Sequence, residues 1–340
     1  MSGRYSRSIL FPGIGAEGQE RIGRFSIAFV GVGAVGAAAA EMAVRAGFGR
    51  LTLIDRDVVE PSNLARQFLF DADDAARVAP KAEAAAARLS EIDPAIPVAA
   101  IVADLDYRNS RELLAGHDVV FDGSDNFETR LLVSDTAQAL VIPSIYAACV
   151  GEEGRVAVSL PGVTPCLRCF LEALPPAGSG PTCDTAGVVP TLPPLVASLA
   201  MTEVVRLAAG ETPARGILTL TVWQGGFRSR RLFEQARPSS ACPVCAGRRF
   251  PALEGEGSAE LVKLCGRQSV QITPAQRVRP DFDTLERRLA PLGRVRRSPQ
   301  LLNADIEDLS LTVFPDGRCV VRGTDDPARA RSYYDRYVGG

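Results

Sequence analysis

Ile27-Ala-Phe-Val30-Gly31-Val-Gly33-Ala-Val-Gly36, then an alanine-rich stretch to Ala46 and Leu51-Thr-Leu-Ile-Asp55, reads as strand, glycine turn, helix and strand. Gly31 opens a tight turn. Gly33 lets the backbone approach a phosphate, and Gly36 lets helix and strand pack closely. Asp55 lies 19 residues beyond Gly36, where a ribose-binding carboxylate is expected. The alternation continues with helices near 80–91, 109–115 and 127–140 and strands near 97–103, 118–122, 141–146 and 154–160. This pattern predicts an α/β fold, a Rossmann-like doubly wound, mainly parallel sheet.

Residues 172–190 are rich in Pro, Gly and Ser and read as a loop. An apolar helix is expected at 192–209 and a strand at 217–223. The expected division is a first domain over 1–250, a linker at 251–258 (PALEGEGS) and a small α+β domain over 259–340. That last part predicts a strand near 260–272, strands near 294–305, helices near 281–290 and 327–337, and a hairpin at 309–322. The hairpin turns at Pro315-Asp316-Gly317.

Cys166-Leu-Arg-Cys169 and Cys242-Pro-Val-Cys245 each have the gap that lets two thiolates reach one ion. Together they supply the four sulfurs of a closed tetrahedral Zn²⁺ site. Such a site staples distant segments and leaves no position for substrate, so the chemistry lies elsewhere. The remaining cysteines, with no export signal in MSGRYSRSILFPG, read as reduced thiols of a cytoplasmic protein. Cys149, Cys265 and Cys319 sit in apolar contexts and read as inert. A net charge of −2 gives no electrostatic case for nucleic acid or membrane. The apolar run at 188–209 is broken by Pro190, Pro193, Pro194, Glu203 and Arg206 and is a poor spanning candidate. His117, the single histidine, reads as structural.

A glycine loop alone fits a dinucleotide oxidoreductase as well as anything else. The residues downstream of it shift the balance. Ser62-Asn-Leu-Ala-Arg66-Gln67 comes just after the second strand, and Ala79-Pro-Lys81 opens the next helix. Arg66 and Lys81 place two cations near one mouth of the sheet, which suits a triphosphate better than a pyrophosphate. Gly123-Ser-Asp125-Asn126 sits where the fourth strand ends. A carboxylate there can hold Mg²⁺, and it can equally cap the following helix.

Arg4-Tyr-Ser-Arg7, G-V-G-A-V-G, D-R-D at 55–57, S-N-L-A-R-Q, A-P-K, G-S-D-N and the paired C-x-x-C segments occur in that order. In this the chain resembles the ThiF/MoeB family of ubiquitin-activating-like adenylyltransferases over about residues 1–250. The resemblance implies ATP and Mg²⁺ as reactants. It also implies adenylation of the C-terminal glycine of a ubiquitin-like or sulfur-carrier protein ending in Gly-Gly, with release of pyrophosphate. It places Gly31, Gly33 and Gly36 in the nucleotide loop, Asp55 on ribose, and Asp57 in the nucleotide site. Asn63, Arg66 and Lys81 would lie on phosphates and Asp125 on magnesium. Arg7 would reach the triphosphate of the other subunit of a homodimer. Cys183, in the 172–190 loop, matches a position that can take an acyl or sulfur adduct. Ala34 replaces a glycine common in such loops. Two other readings stay open: a nicotinamide-dependent oxidoreductase, and a non-catalytic zinc-stapled adaptor for a carrier protein. The last domain reads as a recruitment module or a packing module.

Overall fold

The computed structural model describes residues 3–170, 186–256, 261–264, 268–274 and 279–338. They form two compact units, the first ending at Glu256.

The first unit begins with two helices, α1 (Ser6–Leu10) and α2 (Gly15–Ile22). The sheet then starts with β1 (Ser26–Val30), α3 (Ala34–Ala46) and β2 (Arg50–Asp55). Next come α4 (Ala72–Ala76), α5 (Lys81–Ile92), β3 (Val98–Val102), α6 (Ser110–Leu114) and β4 (Val119–Asp122). After α7 (Phe127–Leu140) the chain forms β5 (Ser144–Val150), β6 (Glu153–Ser159), α8 (Leu192–Ala209), β7 (Ile217–Thr221) and β8 (Arg228–Leu232). The eight strands lie in the order β3-β2-β1-β4-β5-β6-β7-β8. The first five are parallel and the last three extend the sheet antiparallel.

All five residues of β1 are buried, as expected of a central parallel strand covered on both faces. One face packs on α3, α5 and α8. Ala37, Ala39, Ala40 and Ala43 of α3 are fully buried there, and their small side chains let the helix nest against both β1 and α8. Gly47, at φ 83°, ends α3 in the left-handed conformation. The other face packs on α6, α7 and the four paired cysteines. α8 is long and apolar enough to span a membrane by composition, yet 56% of it is buried, against α3, β5 and β6.

Three placements differ from expectation. The single strand expected near 260–272 is two antiparallel strands, Leu261–Leu264 and Ser269–Ile272. The strand placed near 141–146 begins at Ser144 and runs to Val150. Val141 takes a left-handed conformation, φ 58°, that closes α7, and Pro143 has no N–H for the ladder. Residues 251–256, read as the start of a linker, lie on the first unit. Leu253 is buried there, and the Ala252 N–H donates to Asp135 Oδ2 at 2.9 Å.

The second unit has β9 (Leu261–Leu264), β10 (Ser269–Ile272), α9 (Phe282–Leu289), β11 (Gly293–Ser298), β12 (Leu301–Ile306), β13 (Leu309–Val313), β14 (Cys319–Arg322) and α10 (Pro327–Tyr337). Its strands, in the order β11-β12-β13-β14-β10-β9, are all antiparallel. Leu285 and Leu289 of α9 and Tyr333 and Tyr337 of α10 share a core with Val270, Leu302, Leu311 and Val321. Asp281 and Asp326 cap the two helices by accepting N–H bonds from Asp283 and Ala328.

Candidate active site and metal centre

The strand order reverses at β1, with β2 and β3 on one side and β4 and β5 on the other. In open α/β sheets ligands bind outside the carboxyl ends of the strands at such a point. Three strands end together here. The Gly31 N–H donates to the Ile54 carbonyl and the Gly123 N–H to the Val30 carbonyl, each at 2.9 Å. Gly31 has φ 82°, and a Cβ there would stand 2.9 Å from Ser124 N. A Cβ on Gly36 would overlap the Gly31 carbonyl oxygen. These two glycines are therefore demanded by the protein's own packing. Gly33 is different: the nearest protein atom to its Cβ would be Gln67 Nε2, at 3.8 Å. The open space at this helix start suits a ligand held by backbone N–H groups. Buried Gln67 faces this space, and among the described residues its Oε1 has no hydrogen-bond partner.

Asp55 is buried at the end of β2. Its Oδ2 accepts the Val32 N–H at 2.6 Å and its Oδ1 the Asp57 N–H at 2.7 Å. The carboxylate thus braces the glycine loop, and its second lone pairs leave room for a ribose hydroxyl. Burial raises its pKa, and the charge of Lys81 works against that. The Lys81 ammonium, nearly enclosed, lies 3.1 Å from Asp57 Oδ2. Arg56 donates to Asp104 Oδ1 at 3.1 Å. Burial disfavours its charge, yet Asp104, Asp57 and Asp125 together hold the guanidinium above its usual range. Arg66 is half-buried and donates to the Ser62 carbonyl at 2.7 Å. Asn63 is buried and accepts the Glu60 N–H at 3.0 Å, which shapes the turn that carries Arg66.

Asp125 is exposed just past β4, and the next residue, Asn126, caps α7 by accepting the Thr129 N–H at 2.8 Å. The cap is Asn126 and not Asp125, whose Oδ1 lies 3.5 Å from Asn126 Nδ2. Arg130 donates to the Ser124 carbonyl at 2.8 Å and lies 5.4 Å from the rings of both Phe127 and Tyr146. Arg7 is exposed on α1, which packs on α2. Cys183 lies outside the described residues. His117 is structural: Nε2 meets Thr52 Oγ1 at 2.8 Å and Nδ1 meets the Leu114 carbonyl at 3.1 Å. Cys319 is fully buried, and burial pushes its thiol up to about 12.

The four paired cysteines come together, all Sγ atoms within 4.8 Å of one another. Cys166 and Cys169 are 3.9 Å apart, Cys166 and Cys242 3.7 Å, and Cys169 and Cys245 3.6 Å. Zinc–sulfur bonds of about 2.3 Å in a tetrahedron require sulfur separations of about 3.8 Å. The set therefore fits zinc. Hydrogen bonding to Cys166 lowers the Cys245 thiol and raises Cys166 in return. Four such thiols need a cation to ionise together.

Residues 5–244 match the ThiF family. Over all 340 residues the chain is 39% identical to the sulfur carrier protein ThiS adenylyltransferase of Bacillus subtilis, covering 100% of both. The chain belongs to the ThiF family. It is an adenylyltransferase. A sulfur carrier protein adenylyltransferase of Thermus thermophilus is 38% identical over 249 residues, which are 71% of this chain and 90% of that protein. The fold is also that of Escherichia coli MccB bound to a MccA variant, with a TM-score of 0.63 at 22% identity over 72% of this chain and 74% of that one.

Sequence reasoning gave no role to Arg56, Gln67, Arg130 or Asp135. Arg56 and Gln67 lie inside the D-R-D and S-N-L-A-R-Q motifs, but only the folded turn shows which way they face.

The two kinds of glycine separate by experiment. Gly36→Ala should cost about 1–3 kcal/mol of stability, because the helix must move off the loop. Gly33→Ala should leave the ligand-free melt within about 0.5 kcal/mol while weakening ATP binding about 10- to 100-fold, the value of one or two charge-assisted backbone bonds. Calorimetric melts and ATP titration of both variants check this. Equal effects of the two on both readouts would remove the distinction.

Proposed function

We propose that this adenylyltransferase uses ATP and Mg²⁺ to activate the C-terminal glycine carboxylate of a small sulfur-carrier or ubiquitin-like protein ending in Gly-Gly. The observation that carries this is the convergence of the Gly31–Gly36 loop, Lys81, Arg56 and Asp125 at one switch point. The names of the Bacillus and Thermus relatives support the substrate class. The carrier carboxylate is ionised at neutral pH and needs no base. It attacks the α-phosphorus, a new oxygen–phosphorus bond forms, and the bond to the β-phosphate oxygen breaks as pyrophosphate leaves. Lys81, Arg56 and Arg66 offset the charge that builds on the departing group. Mg²⁺ held by Asp125 would neutralise phosphate oxygens. A hydride-transfer enzyme would leave this charge cluster without purpose, and an adaptor would not need it. A reduced, cytoplasmic setting suits the thiols.

Asp125 is exposed, and its links to Asn126 at 3.5 Å and to the charge of Arg56 are weak supports of the fold, so Asp125→Ala should shift the melt by no more than about 0.5 kcal/mol. It should cut carrier-dependent pyrophosphate–ATP exchange by about 10²–10³. Exchange at the wild-type rate would refute the assignment.

The active form is proposed to be a homodimer in which Arg7 reaches the triphosphate of the partner. Mixing inactive Arg7→Ala subunits with inactive Asp125→Ala subunits should restore one intact site per heterodimer. No recovery after verified subunit exchange would place Arg7 outside the site.

The second unit carries none of these residues and is proposed to recruit the carrier or a later acceptor. A chain ended after Glu256 should still fold, bind zinc and exchange pyrophosphate, with carrier affinity lowered about tenfold or more, roughly 1.4 kcal/mol. Unchanged carrier affinity would leave recruitment of this partner without support.

A further inference from the structure

Asp135 lies in the middle of α7 with a fully buried side chain. Arg168 stands between the two cysteines of the first pair and donates through Nε to Asp135 Oδ1 and through Nη2 to Oδ2, both at 2.9 Å. Oδ2 also accepts the Ala252 N–H, seven residues past Cys245. Leu167 N–H reaches Ser134 Oγ, the neighbouring residue of α7, at 3.4 Å. One carboxylate therefore gathers the flanks of both cysteine pairs, which are 76 residues apart in sequence.

A buried ion pair by itself adds little to stability and often less than a well-packed apolar pair. Its position at a four-thiolate centre gives it another role. Zinc with four thiolates carries a net charge of −2, and a guanidinium beside it offsets part of that charge. We propose that Asp135 and Arg168 are positioning residues of the zinc centre. Asp135 fixes the Arg168 fork and brings the two cysteine pairs together before metal arrives. Arg168, set between Cys166 and Cys169, ties the first pair to α7 and places its positive charge on that flank of the centre. Neither residue binds the metal, and each acts through the orientation and charge of the ligands.

The test uses full-length protein, with wild-type zinc content measured first. Absence of zinc from the wild type would sink the zinc reading itself. Asp135→Asn keeps an acceptor for Ala252 but loses the carboxylate. Arg168→Gln removes the counter-charge from the other side. For each, zinc retention is measured by competition with a chromogenic chelator, and melts are recorded with and without zinc. The expected result is zinc affinity lowered about 10- to 100-fold in both variants, with a smaller zinc-induced rise in melting temperature. A pair that served packing alone would lower both melts together and leave the zinc-induced rise intact, which would overturn the proposal. Wild-type zinc retention by either variant that folds would overturn it as well.

Discussion

The first unit depends on a contact that leaves no room for a side chain. The start of α3 lies against the end of β1 so closely that any Cβ on residue 36 would overlap the Gly31 carbonyl oxygen. That approach does two things. It seats an alanine-lined helix on the central strand, where Ala37, Ala39, Ala40 and Ala43 complete the seal. It also turns the first N–H groups of α3 toward the gap where β1 and β4 part. Asp55 locks the result from the next strand by accepting the Val32 N–H. The nucleotide loop is therefore held from within before any ligand arrives. Its geometry is one that binding need not create, which spares the ordering cost that a loose loop would add.

The second constraint acts at the opposite face. α7 begins just after Asp125 and carries Asp135 about two and a half turns later. Its first turn is fixed by Asn126 and by Arg130 on the Ser124 carbonyl, and its middle is fixed by the cysteine flanks. A helix held at both places cannot tilt without breaking one set of contacts. The four paired thiols, a set that fits zinc, thus anchor the helix that follows the exposed carboxylate of Asp125.

Local signals carried most of the fold. The alternating strands and helices, the Pro315-Asp316-Gly317 turn and the left-handed glycine after α3 all act over a few residues, and a chain reader can follow them. The strand begins only at Ser144 because Val141 adopts a conformation unusual for a β-branched residue, the left-handed cap that closes α7. The Asp135 clamp joins positions 33 and 117 residues apart, and nothing local marks Asp135 for it. The cysteine pairs were legible because ligand spacing is a local rule, but which helix braces them is not. The same holds for Gln67, whose motif was visible while its direction was not.

The glycine loop and Asp55 alone do not distinguish a triphosphate from a dinucleotide. What distinguishes them is the stretch after β2. Arg56 and Lys81 stand there on a turn and a helix start, and Asp104 and Asp57 hold them in place. A nearly enclosed lysine left without a partner would lose its charge to burial. Asp57 supplies that partner 3.1 Å away and fixes the aim of the ammonium. The acidic residues thus fix where the cations stand, and on this fold that placement, not the glycine loop, sets the charge that a nucleotide meets.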